Sequence, residues 1–155
     1  MEKSPHDIYL REVYPIIKEQ LENQGEVRFK PRGISMRPLI RQGIDEVIIK
    51  KADAKPKKND IVFYCRDSGD FVLHRLIGFD KNNQFIMRGD NQTVKEYGIS
   101  EKHVIGIVKS VIRDGKNIDA SSFLFNLWAY YSRIYILENK LKRFIRRILC
   151  LLKKR

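Results

Sequence analysis

Cysteine is scarce in this chain, with Cys65 and Cys150 the whole supply. Two thiols so far apart make neither a metal-binding spacing nor a disulfide framework, so both are expected to be free. Histidine is nearly as rare: His6, His74 and His103 are scattered, no two at ligand spacing, and no metal is expected. A glycine-rich nucleotide loop is also missing, so no cofactor is expected and the chemistry falls to protein groups alone. Hydrophobic runs are short, none approaching the roughly 18 uninterrupted apolar residues of a spanning helix. The opening residues, Met1 to Asp7, are polar and carry acids, unlike a secretory signal peptide. These gaps lead to the expectation of a cytoplasmic protein, at most peripheral on the inner membrane face.

Acids are the minority charge, 19 against 31 Lys and Arg, for a net +12. The excess is uneven. From Arg133 onward nine basic side chains meet one acid, Glu138, so most of the basicity belongs to a tail and the body is nearly balanced. What is plentiful is core material: 43% hydrophobic residues in 155 is ample for one packed domain.

Three segments follow from the patterning. Residues 1–25 read as a helical segment, with Ser4 as cap, Pro5 in the first turn, Val13, Ile16, Ile17 and Leu21 at helical spacing, and Gly25 as the stop. Residues 26–120 turn to short β-branched and aromatic runs at 26–30, 46–50, 60–65, 71–77, 84–88 and 104–113. Gly, Pro, Asn or Asp bound each run, giving a mainly β, mostly antiparallel domain. Lys55 to Asp60 reads as a loop and Asp114-Gly115 as a tight hairpin turn. Residues 121–155 read as a basic amphipathic helix from about Ser122 to Leu152, with Leu127, Tyr131, Ile134, Leu137, Leu141, Phe144, Ile148 and Leu151 on one stripe. That stripe would pack on the β domain, on a second copy as a homo-oligomer, or on an anionic membrane surface through residues 122–155. Nucleic acid is not an expected partner, because no recognised binding motif accompanies the basic residues.

The chemistry-bearing residues lie in three short stretches. Gly33-Ile34-Ser35-Met36-Arg37-Pro38 follows a predicted strand: Gly33 permits a sharp turn, Pro38 stiffens the exit and Met36 plugs the turn into the core, presenting the Ser35 hydroxyl on a rigid corner. A hydroxyl needs a base to become a nucleophile. Val72-Leu73-His74-Arg75-Leu76 offers one, and alternation puts Val72, His74 and Leu76 on one strand face. His74 is then either a satisfied core histidine or a base in a sheltered cleft. Arg88-Gly89-Asp90-Asn91 follows another strand.

In order and approximate spacing these stretches resemble the three boxes of type I signal peptidases and their LexA-like relatives, over roughly residues 27–119. The resemblance implies a signal peptidase/LexA-like β domain with Ser35 as nucleophile and His74 as base, the latter in the place where bacterial members carry lysine and the endoplasmic-reticulum type carries histidine. It implies a serine-type endopeptidase whose substrate is a leader or signal segment of a peptide or protein precursor, docked as an added strand. Motif support comes from Gly33, Met36, Pro38, Arg75, Gly89 and Asn91. Asp90 either fixes its loop or orients His74, and Glu96 stands near where Ser-His members carry a further aspartate. Two more departures are visible. Gly33 occupies the place of a serine that helps to bind the oxyanion in many members, and Gln42-Gly43-Ile44-Asp45 replaces a shorter Gly-Asp, so a shifted loop is expected. The rival readings are a catalytically inactive binding or membrane-adaptor protein on the same fold, and a self-cleaving LexA-like regulator. The latter is disfavoured because only about 25 residues precede the β domain.

Overall fold

The computed structural model describes residues 5–123 and, beyond them, Phe125, Leu127, Trp128, Tyr130, Tyr131, Ile134, Leu137, Glu138, Leu141 and Ile145, with side chains from Tyr14 onward. A helix, α1 (Pro5–Gln24), leads into eight strands: β1 (Glu26–Phe29), β2 (Glu46–Lys50), β3 (Ile61–Cys65), β4 (Phe71–Phe79), β5 (Phe85–Arg88), β6 (Glu96–Ile99), β7 (Val104–Arg113) and β8 (Lys116–Asp119). All pairings are antiparallel, in the order β1-β2-β7-β3-β4-β5-β6, with β8 also on β7. Because β2 covers Ile107 to Ile112 along one edge of β7, β3 and β8 share the other edge end to end.

The mainly β expectation holds, and the six predicted runs agree with six strands to within about two residues at each end. β6 and β8 lie outside the predicted runs. β8 follows from the Asp114-Gly115 turn, where both residues have positive φ (49° and 76°) and Arg113 faces Lys116, a hairpin geometry that matches strand twist. β6, Glu-Tyr-Gly-Ile, has a glycine at φ 80° and exposed residues at Tyr97 and Gly98, so it lacks the alternation that marks a half-buried strand.

Period-two alternation on β3 divides the interior in two. Ile61 and Phe63 join a core with Val27, Val47, Ile49, Val108 and Val111, closed by Met36, Leu39 and Ile40 from the loop after β1 and by Ile17 and Leu21 of α1. Val62 and Tyr64 point the other way, into a smaller core with Leu76, Phe85, Met87 and Ile99. β3 is thus buried on both faces, and irregular registers in β2–β7, β3–β7, β4–β5 and β5–β6 bend the sheet around these two cores.

At the N-terminus α1 ends at Gly25, whose φ of 76° and N–H bond to the Leu21 carbonyl make a left-handed stop. Ile17 and Leu21, one turn apart, carry its packing, whereas Ile16, expected on the apolar stripe, is exposed. Tyr14 adds a ring contact to Phe71 at 5.0 Å. Ser4 and Val13 contribute no described side chain.

The expected helix over 122–152 lies mostly outside the described residues, as does Cys150. Two described aromatics there contact the body: Phe125 is buried in the larger core and stacks 5.6 Å from the Arg75 guanidinium, and Trp128 packs beside it over Arg113. Members of the predicted stripe, Leu127, Tyr131, Ile134, Leu137 and Leu141, are instead exposed. Among the described residues no helix is long and apolar enough to cross a membrane.

Candidate active site

Ser35 stands on a turn between β1 and β2 that is fixed from below and from both flanks. Gly33 takes φ 93°, a conformation that side-chain-bearing residues rarely adopt, which lets the chain reverse just before the serine. Met36, Leu39 and Ile40 then drop into the larger core, so the turn is nailed down by burial as the sequence predicts for Met36. Arg37-Pro38 is a cis peptide. The Pro38 and Leu39 carbonyls accept bonds from Arg113 at 2.9 and 2.7 Å. The same guanidinium reaches Asp45, which also takes two side-chain bonds and a backbone bond from Arg41. Burial pushes the Asp45 carboxyl up, but the bonds from Arg41 and Arg113 outweigh it and hold the group at about 2. The loop with the extra residues before Asp45 is therefore anchored through that aspartate.

From the other side the stretch after β5 clamps the turn. Gly89 lies so close that a Cβ there would sit 2.7 Å from the Ser35 carbonyl oxygen and 3.0 Å from the Ser35 Cβ. The Asn91 backbone N–H donates to that carbonyl at 2.7 Å, and its side-chain amide donates to the Ile34 carbonyl at 3.2 Å. Asp90, between them, gives both oxygens to Arg75 at 2.7 Å, both side chains only 2% exposed, and the third arm of Arg75 reaches the Asn59 carbonyl. The Asp90 carboxylate is taken up by Arg75, and no hydrogen bond joins it to His74.

His74 lies in β4, 5% exposed, opposite Val62 of β3. Its Nδ1 is 3.2 Å from the Tyr64 hydroxyl and 3.7 Å from a Glu96 carboxylate oxygen. Tyr64 donates to that same oxygen at 2.8 Å, and Arg66 grips both Glu96 oxygens at 2.7 and 2.8 Å. Burial pulls the imidazole down to about 4, against a smaller opposing pull from Glu96, so it is neutral around pH 7. Burial disfavours the Glu96 charge as well, but hydrogen bonds from Arg66 and Tyr64 win and its carboxyl stays below its usual range.

Ser35 and His74 line one cavity of about 240 Å³, walled by Pro31, Met36, Ile40, Phe71, Val72 and Leu73 on the apolar side and by Arg66 and Gln92 on the polar side. No hydrogen bond joins the serine hydroxyl to the imidazole. A second cavity, about 540 Å³, opens beside His74 and Glu96 along residues 91–95. Among the described residues no group of His, Cys, Asp and Glu is gathered to hold a metal ion. The chain matches no family model and no curated protein.

Sequence reading missed Tyr64, Arg66 and Gln92 here. A signal for Tyr64 existed: with the Arg66–Asp70 turn taken as a hairpin, antiparallel pairing sets Tyr64 opposite Val72, two positions from His74 on the same face.

Two outcomes follow from this geometry. Gly89→Ala forces the Ser35 turn to move, because the obstructing atoms are backbone and Cβ; a loss of about 1–3 kcal/mol in unfolding free energy is expected by urea titration. His74 ionises more readily unfolded than folded, so its contribution is full above about pH 6.5 and is lost as pH falls toward about 4. Stability should drop by about 3 kcal/mol across that window, and His74→Gln should flatten the curve there.

Proposed function

We propose that this chain is a serine endopeptidase resembling signal peptidase I, which removes a leader or signal segment from a peptide or protein precursor. The observation that carries the reading is the shared cavity: a serine on a clamped turn and a neutral, buried imidazole face one space with an apolar wall. Ser35 Oγ attacks the scissile carbonyl as His74 takes its proton. The C–N bond then breaks, the amine leaves with the proton returned by His74, and water attacks the acyl ester to release the acid and restore Ser35. With Gly33 in the place of a hydroxyl donor, the oxyanion falls chiefly to backbone N–H, that of Ser35 first.

Support for an extended substrate comes from β4. Residues 71–74 pair with β3 on one edge, whereas pairing with β5 begins only at Arg75. The unpaired stretch borders the cavity and offers main-chain groups to an added strand, with small side chains suited to a 240 Å³ space. A second reading, a binding or adaptor protein on this fold without turnover, is favoured by the missing Ser35–His74 hydrogen bond. Such bonds often tighten only with substrate present.

A serine-reactive acylating probe separates the two. Labelling of the wild type that disappears in Ser35→Ala and falls at least ~10²-fold in His74→Ala is expected. No labelling of the wild type at any pH would leave the adaptor reading.

Attachment of residues 122–155 to an anionic membrane surface belongs to the same proposal, which puts the protein at the inner face of the cytoplasmic membrane. Exposed Phe123, Leu127, Tyr130, Tyr131 and Leu137 supply apolar area among many Lys and Arg. In flotation with phosphatidylserine liposomes, deletion of 132–155, which keeps Phe125 and Trp128 on the body, should abolish binding, and raised salt should weaken it. Equal flotation by the two chains would point to packing between copies instead.

A further inference from the structure

We infer that Tyr64 is a positioning residue that relays Glu96 to His74 and fixes Nε2 as the basic nitrogen of the imidazole. Only one placement of the protons satisfies these three groups. A phenol has one hydrogen to donate, and its oxygen accepts as well. Glu96, gripped by both arms of Arg66, is a carboxylate and only accepts. The hydrogen between Tyr64 and Glu96, 2.8 Å apart, must therefore be the phenol's. Once that hydrogen is committed, the phenol oxygen can meet Nδ1, at 3.2 Å, only as an acceptor. Nδ1 then carries the ring proton and Nε2 keeps its lone pair.

Tyr64 is fully buried in the smaller core, packed with Val62, Leu76 and Met87, so its oxygen cannot swing away from this position. Burial together with the Glu96 bond raises the phenol well above its usual range, so it keeps the hydrogen that this placement requires. The carboxylate itself stands 3.7 Å from Nδ1, beyond hydrogen-bond reach. Glu96 acts on the histidine through the tyrosine, a neutral group that sets direction while keeping the full charge at a distance.

The effect on rate rests on the peptidase reading, but the tautomer does not, and the experiment uses that difference. Imidazole ¹⁵N shifts of His74 at pH 7 would be recorded for the full chain and for Glu96→Ala and Tyr64→Phe. The wild type should show Nδ1 protonated and Nε2 bare. Glu96→Ala frees the phenol hydrogen to point at Nδ1, so the tautomer should reverse to Nε2–H. Tyr64→Phe removes the oxygen and should leave a mixture, and each variant should slow probe acylation of Ser35 about 10- to 100-fold. A wild type with Nε2–H, or a tautomer that neither variant shifts, would overturn the relay. Expected tautomers without any Ser35 acylation would uphold it and remove the peptidase reading. Glu96 lies on an edge strand and is partly exposed, and Tyr64→Phe keeps the ring that fills the core, so the test does not hang on one variant folding.

Discussion

The ion pair between Arg75 and Asp90 is the joint on which the candidate site turns. Arg75 is the residue after His74 on β4, and Asp90 lies between the two residues that hold the Ser35 turn. One bidentate contact therefore ties the strand carrying His74 to the loop that seats Ser35. Taking both charges out of water costs several kcal/mol per ion, and geometry this close, with the Asn59 carbonyl satisfying a further arm, is what offsets it. Losing one partner would strand the other charge in the interior, typically a cost of about 3–5 kcal/mol. The pair is buried on the same side as Phe125, whose ring covers the guanidinium.

Around that joint the chemistry is sorted by depth. His74 is neutral because it is buried, while the charges that steer it, Glu96 and Arg66, stand farther out where water still reaches them. Tyr64 spans the gap between the two environments. On the opposite flank of the serine, Asp45 and Arg113 perform a purely mechanical task, holding the Pro38 and Leu39 carbonyls and hence the far end of the turn.

How much of this could be read from the letters depends on the range of the interaction. Strands β2 and β7 and the turn at Asp114-Gly115 carry their own signals, runs of β-branched residues and a pair suited to positive φ, and were legible. The Met36 plug and the Gly33 turn were legible for the same reason. Asp90 was ambiguous, since a carboxylate beside a glycine serves a loop, a base or a cation equally well, and only the pairing of β4 with β5 brings Arg75 to it. Arg66 was invisible as a site residue because it reaches Glu96 across strands, Tyr64 shows only once β3 is paired with β4, and β6, which starts at Glu96, has too little alternation to announce itself. Ile16 misled because a residue at helical spacing can still fall one position off the buried line, which Ile17 and Leu21 occupy.

β6 meets β5 at two register pairs, Phe85 with Ile99 and Met87 with Glu96, and among the described residues no strand pairs with its other edge. The acid at the head of the relay is thus carried by the most lightly tethered margin of the sheet, where opening costs less than global melting. Fraying there would separate Glu96 from Tyr64 while β3, β4 and the serine turn stayed folded. Warmth or mild denaturant would then disarm the histidine before the body came apart, and amide exchange at Tyr97 and Ile99 would run ahead of exchange at Val62 and Leu76.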